Sequence, residues 1–444
     1  MRFRPYPKYK ASGVDWLGDV PEGWTCSRLR YFAELNPSKS ETIHLSRDTE
    51  VSFLPMEAIG EDGSIKLDRE KPISEVESGY TYFRDGDITI AKITPCFENG
   101  KGALMAGLSN GIGFGTTELI VIRPNGNTHE RFLQWVFQST PFRKLGEGFM
   151  YGAGGQKRVP DDFVRNFCMA WPSYLDQTFI AAFLDRETAK IDTLIAKQEK
   201  LIQVLKEKRQ AMISHAVTKG LDPNVQMKPS GIEWLADVPE HWSVSRMATL
   251  FSEVSESGPD ELPILSVSIH TGVSDKELDD SEMDRMVTRS DDKSKYKRVR
   301  PGDLVYNMMR AWQGGFGTVT VEGLVSPAYV VARPKNPLIT AYLEGLLRTP
   351  QAIEQMRRYS QGVTDFRLRL YWGEFKNIYI ALPPLDEAIK IMKHIGTETC
   401  KINALIAKAE QAIVLQKEHR TALISAVVTG KIDVRNEVAE RKAA

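Results

Sequence analysis

The chain repeats itself, and the repeat limits what it can fold into. The stretch "SGVDWLGDVPEGW" at Ser12–Trp24 returns as "SGIEWLADVPEHW" at Ser230–Trp242, 218 positions on. Two tryptophans, a glycine and a proline in one short stretch do not recur by chance, so two copies of one folding unit are expected. A second block returns as well. "IDTLIAKQEKLIQVLKEKRQAMISHAVTKGLD" (Ile191–Asp222) matches "INALIAKAEQAIVLQKEHRTALISAVVTGKID" (Ile402–Asp433), 211 positions on. Between these blocks the likeness fades to echoes. "RDGDITI" (Arg84–Ile90) answers "RPGDLVY" (Arg300–Tyr306), and "GFGTTELIVIRP" (Gly113–Pro124) answers "GLVSPAYVVARP" (Gly323–Pro334). Simple duplication with drift would blur every position evenly. Shared ends around a divergent middle imply that the ends do one job and the middles two different ones.

The shared end reads as a long helix. From about Phe179 to Thr218 there is no Pro or Gly, and Ala, Leu, Glu, Lys, Gln and Arg dominate. Apolar residues recur at Ile180, Leu184, Ile191, Leu194, Leu201, Leu205 and Met212, with a second set at Ile195, Ile202 and Val217. Gly220 and Pro223 then stop the helix. The later copy keeps the stripe at Ile402, Leu405, Ile406, Ile413, Leu423, Ile424 and Val427 and ends at Gly430. Forty helical residues span roughly 60 Å and need a partner helix for the apolar seam. The evident partner is the other copy, paired antiparallel, with apolar surface left over for helices of another protein.

The middles read as strand-rich α+β domains. "DGDITIAKI" (Asp85–Ile93), "ELIVIRP" (Glu118–Pro124), "PGDLVYNMM" (Pro301–Met309) and "AYVVARP" (Ala328–Pro334) are apolar runs between Gly and Pro breakers. Short amphipathic helices follow at Arg131–Leu145 and Leu338–Tyr359. Beside them lie Gly-containing polar loops, "MYGAGGQKRV" (Met150–Val159) and "YSQGVTDFRLRL" (Tyr359–Leu370). Glycine lets a backbone approach closely, and Arg, Lys, Gln and Asn offer the donors and acceptors that read base edges and phosphates. The candidate DNA-contacting residues in the first half are Lys92, Asn99, Lys101, Gln156, Lys157 and Arg158. In the second half they are Asn307, Arg310, Gln313, Gln361, Thr364, Arg367 and Arg369.

Composition narrows the function classes. The chain has 444 residues, too many for one ordinary core, and 58 basic residues balance 58 acidic ones. A nucleic-acid surface must then be local, offset by acidic faces elsewhere. Cys26, Cys96, Cys168 and Cys400 form no C-x-x-C pair, which points away from zinc and disulfides and towards a reducing cytoplasm. "MRFRPYPKYK" lacks the apolar run of a secretory signal, and no stretch reads as a membrane span. There is no phosphate-binding G-x-x-x-x-G-K-[ST] loop and no N-P-P-[FY] or D-P-P-Y tetrapeptide; "NPSK" at Asn36–Lys39 is a partial echo. The seven histidines are scattered without metal-ligand spacing, and "DKELDDSEMD" (Asp275–Asp284) reads as a solvated acidic loop. No catalytic residue and no metal site is expected.

The SGxxWLxDVPExW starts, the G-D-[IL] strands and the L-I-A-K-x-E…I-S helices together resemble the specificity subunits of type I restriction–modification systems, nearly end to end and twice over. The resemblance implies an α+β chain with two pseudo-symmetric α/β target recognition domains separated by two long helices paired as an antiparallel coiled coil. The expected divisions are recognition domain 1 at 1–176, spacer helix 1 at 177–222, recognition domain 2 at 223–387, spacer helix 2 at 388–432 and a tail at 433–444. It implies a cytoplasmic, non-catalytic subunit that binds double-stranded DNA, with one domain for each half of a split site. Two methyltransferase subunits would dock on the helices and supply the S-adenosylmethionine chemistry, so this chain needs no cofactor of its own. Restriction or translocase subunits are optional additions. Two readers on one face of B-DNA sit about 34 Å apart, within reach of such a rod. Trp16, Trp24, Trp234 and Trp242 are expected to anchor each domain's opening strands rather than touch DNA. A protein–protein scaffold, with the helices as its interaction surface, stands as the alternative.

Overall fold

The computed structural model describes residues 4–153, 155–276, 278, 293–362, 368–435 and 437. Contacts divide the chain into two units, Met1–Glu199 with Gln411–Ala444 and Lys200–Glu410. The first unit is built on a sheet of β1 (Ala33–Leu35), β2 (Ile88–Ala91), β3 (Gly102–Leu104) and β4 (Leu119–Pro124), in the order β1-β4-β2-β3. All three pairings are antiparallel. One face of this sheet packs on α1 (Glu130–Gln138) and α2 (Thr140–Phe149) through Ile88, Ile90, Phe132, Leu133 and Phe142. A second sheet, with Glu50–Leu54 parallel to Ile112–Gly115, lies over a separate small core around Leu54, Phe83 and Val121.

The second unit repeats the main sheet. Its strands are β5 (Phe251–Val254), β6 (Leu304–Asn307), β7 (Phe316–Thr318) and β8 (Tyr329–Pro334), in the order β5-β8-β6-β7. Helices α4 (Thr340–Leu347) and α5 (Pro350–Tyr359) hold the place of α1 and α2, counting the long helix that begins at Tyr174 as α3. The echoes in the divergent middles have a physical cause. In each unit the Asp of the R-x-G-D turn accepts the backbone N–H of its own Arg: Arg84 N to Asp87 Oδ2 and Arg300 N to Asp303 Oδ2, both 2.9 Å. The same Asp pairs with the Arg of the I-R-P or A-R-P strand, Arg123 Nε at 2.7 Å and Arg333 Nε at 3.0 Å. Asp87 and Asp303 are buried, so each needs its arginine. Burial alone would lower the Arg123 pKa. Hydrogen bonds and charge from Asp87 and Glu41 outweigh it and leave the group raised, firmly protonated.

The long helices are α3 (Tyr174–Lys219) and α6 (Leu385–Val428). Within the first unit, Ile180, Leu184 and Ile191 of α3 share a core with Leu423, Ile424 and Val427 of α6, and Arg420 Nε meets Asp192 Oδ1 at 3.0 Å. Within the second unit, Leu205 packs with Ile402 and Ile406, Val217 shares a core with Ala388 and Ile391, and Arg209 Nη1 donates to Asn403 Oδ1 at 2.6 Å. In each unit rising numbers on one helix meet falling numbers on the other. Leu194, Leu201 and Leu405, which the sequence stripe placed in the seam, are about half exposed. At 3.6 residues per turn a straight helix drifts off a fixed stripe, so of the predicted residues Ile191 and Leu205, with Ile202 of the second set, carry the contact.

The repeated tryptophan motif sits against the helix ends. Trp24 is buried with Tyr6 beside it, and Gly430, just past α6, lies close to its ring edge. Gly430 has φ 72°, and a Cβ there would come within 2.5 Å of Pro21, so only glycine fits. Lys431 Nζ donates to the Asp19 carbonyl at 2.8 Å and Tyr9 Oη to the Gly430 carbonyl at 3.0 Å. In the second unit buried Trp242 lies beside Gly220 at the end of α3 and donates Nε1 to Glu387 Oε1 at 3.2 Å. Trp16 stacks on Phe167, and Trp234 packs at the edge of the second core.

Candidate nucleic-acid interface

In each unit two loops meet at the end of the sheet's middle strand. In the first, β2 runs into a compact loop to β3, with Lys101 N donating to the Cys96 carbonyl at 2.9 Å. The loop after α2 folds back on itself, Tyr151 and Arg158 exchanging backbone bonds of 3.2 and 2.9 Å. Gly152 permits this fold, because its φ is 142° and a Cβ would lie 2.6 Å from the Gln156 carbonyl. Val159 N then donates to the Lys92 carbonyl at 2.8 Å, and Thr94 N to the Lys157 carbonyl at 2.9 Å, joining the two loops.

The second unit forms the same junction from different residues. β6 ends at Asn307, whose backbone N–H donates to the Gly315 carbonyl at 3.0 Å across the loop to β7. Gln361 and Arg369 exchange backbone bonds of 2.9 Å, and Leu370 N donates to the Met308 carbonyl at 2.9 Å. This last bond answers Val159 to Lys92 in the first unit.

The candidate residues fall into three groups. Gln156, Lys157 and Gln313 are exposed, while Lys92 and Arg310 are half-buried at the loop bases. Several others are engaged by the protein itself: Asn99 Nδ2 donates to Glu61 Oε1 at 2.9 Å, Lys101 Nζ to the Met56 carbonyl at 3.2 Å and Gln361 Nε2 to Glu374 Oε1 at 2.9 Å. Asn307 is buried and accepts the Met309 N–H at 3.0 Å, which makes it part of the loop's frame. Arg369 Nη2 lies 3.7 Å from the Met309 sulfur. Thr364 and Arg367 lie outside the described residues.

Sequence reading missed Glu118. Its carboxylate accepts Arg158 Nε at 2.9 Å and Nη2 at 2.7 Å, a two-point pair. The Arg158 guanidinium, hydrogen-bonded to it, holds the Glu118 carboxyl below its ordinary range. No local signal marks this partner, since the two residues belong to segments forty positions apart. Among the described residues no His, Cys, Asp or Glu group is arranged to hold a metal ion, and no helix is long and apolar enough to cross a membrane.

Comparison with known proteins fits this doubled architecture. No family model matches. Among curated proteins, the EcoAI specificity subunit of Escherichia coli is 45% identical over 163 residues and the EcoEI specificity subunit 42% over 166, both from type I restriction enzymes. The chain is a relative of type I restriction specificity subunits. The matched stretches cover 36% of this chain and 27% of each of those two relatives, so the chain spans about a quarter of their length. The EcoBI specificity subunit is 26% identical over 253 residues, 53% of its length. Among solved structures, the HsdS subunit from Thermoanaerobacter tengcongensis aligns over 93% of this chain and 98% of its own, with a TM-score of 0.56 at 17% identity. A chain described with the assembly and conformational transition of the type I R-M system aligns over 93% and 99%, with a TM-score of 0.69 at 18% identity. The fold of such specificity subunits thus extends across nearly the whole chain.

Proposed function

We propose that this chain is the non-catalytic, DNA-reading specificity subunit of a type I restriction–modification complex. Residues 1–176 and 223–387 act as two recognition domains, one for each half of a split duplex site. The observation that carries the reading is the doubled loop junction: one backbone frame, built twice, presents Gln156, Lys157 and Arg158 in one unit and Gln313, Gln361 and Arg369 in the other. Same frame with different side chains is what two readers of two different half-sites require. Helices 177–222 and 388–432 pair as an antiparallel coiled coil that fixes the gap between the half-sites. The outward Leu194, Leu201, Val204, Leu405, Val414 and Leu415 support docking of two modification subunits along these helices. Those subunits, with S-adenosylmethionine, supply methyl transfer in the cytoplasm; restriction subunits are optional.

The test is co-expression with a modification subunit, followed by genome-wide mapping of methylated positions. The expected result is a bipartite motif with a fixed unspecified gap. A continuous motif, or a purified chain whose duplex binding shows neither sequence preference nor salt dependence, would sink the reading in favour of a protein–protein scaffold.

A further inference from the structure

We infer that Glu118 is a positioning residue that aims Arg158 at a guanine in the first half-site, an inference that rests on the DNA-reading function proposed above. The geometry carries it. Glu118 occupies the Nε and Nη2 side of the guanidinium at 2.9 and 2.7 Å. The Arg158 backbone is pinned on both flanks, to Tyr151 and to Ile93. Yet the Arg158 side chain stays 41% exposed. What remains for a ligand is the outer edge, Nη1 with the second N–H of Nη2. Among the described residues the contact there is a long one, 3.5 Å from Nη1 to the Gln156 carbonyl, which costs little to give up. Two parallel N–H groups on a fixed plane match the O6 and N7 acceptors of guanine in the major groove, the commonest specific arginine contact.

The internal repeat sharpens the point. Arg369 takes the place of Arg158, since Leu370 N to Met308 O repeats Val159 N to Lys92 O. The position matching Glu118, one residue before the strand, is Ala328. The first half thus sets an acid against its arginine at a position where the second half carries alanine. Fixing the plane of a long side chain beforehand removes part of the entropy lost on binding and rejects bases that do not match the fork. Glu118 therefore sharpens selectivity in the first half-site alone.

The experiment selects duplexes from a randomised library with the full chain, co-expressed with its modification subunit, and sequences what is retained. Wild type should enrich guanine at one position of one half-site. Glu118→Ala and Arg158→Lys should each weaken that preference on the order of tenfold, leaving the preference in the other half-site unchanged and the chain folded. Arg158→Lys keeps the positive charge and loses only the fork, so a pure phosphate contact would survive it. Glu118→Gln, which keeps an acceptor without the charge, should fall between. Unchanged guanine preference in both variants, or an equal loss in both half-sites, overturns the inference while a wild-type two-part site leaves the DNA-reading function intact. A wild-type chain that enriches nothing overturns that function itself.

Discussion

Trp24 packs beside the opening strands Tyr9–Ala11 and Asp19–Pro21 and the end of α6, with Tyr6 and Gly430 as its neighbours. Replacing it by alanine leaves a large hole in a part of the core that joins segments far apart in sequence. Trp24→Ala should cost about 3–5 kcal/mol, read as a lower urea midpoint for the first unit. Trp16→Ala, half-buried and stacked on one ring, should cost clearly less. The sequence marked all four tryptophans because their spacing repeats, but it had no means of ranking them. Burial depends on what the distant helix end brings. The same limit hid Glu118: its partner lies forty residues away and only the folded loops join them. That pair also gives a pH signature. Its carboxyl is held below the ordinary Glu value of about 4.3 by the Arg158 hydrogen bonds. A depressed folded pKa stabilises above the ordinary value, and the contribution is lost as pH falls through the folded one. The urea-midpoint advantage of wild type over Glu118→Gln should therefore be constant near neutrality and shrink below about pH 4.

At the scale of the elements, α3 and α6 were legible because Pro and Gly are absent from the first and apolar residues recur in both. Which apolar residues would face inward was less legible. Ile191 and Leu205 lie in cores, whereas Leu194 and Leu201 of the same stripe do not. Polar partners along the helices follow the repeat more closely. Arg209 and Arg420 are equivalent, and so are Asp192 and Asn403. One arginine meets a carboxylate at 3.0 Å and the other an amide at 2.6 Å. Asn403→Asp should convert the second contact into an ion pair. Because Asn403 is exposed and Arg209 only half-buried, the gain should be small, about 0.2–1 kcal/mol in denaturation, and should fade in high salt. No gain at low salt would mean that the fork at Arg209 does not hold an acid in this setting.

At the scale of the molecule, the repeat foretold two units of one topology, and each unit does carry the same four-stranded order. It could not foretell the division itself, in which the end of α6 belongs with the first unit and the end of α3 with the second. That exchange ties the length of the helices to the spacing of the readers in the proposed function. Adding seven residues, two turns, at equivalent points of both helices lengthens the pair by about 10 Å while nearly keeping each seam in phase. Ten ångströms of duplex is about three base pairs at 3.4 Å each. In the proposed function the bases are read by the loops at the sheet ends, which such an insertion leaves untouched. Methylation mapping of the doubly lengthened chain, co-expressed with its modification subunit, should then return the same two half-sites with a longer unspecified gap. Methylation that persists at the original gap would show that something other than helix length sets the distance. Lengthening only one helix breaks the register of the seam, so that variant should lose modification altogether rather than shift the gap.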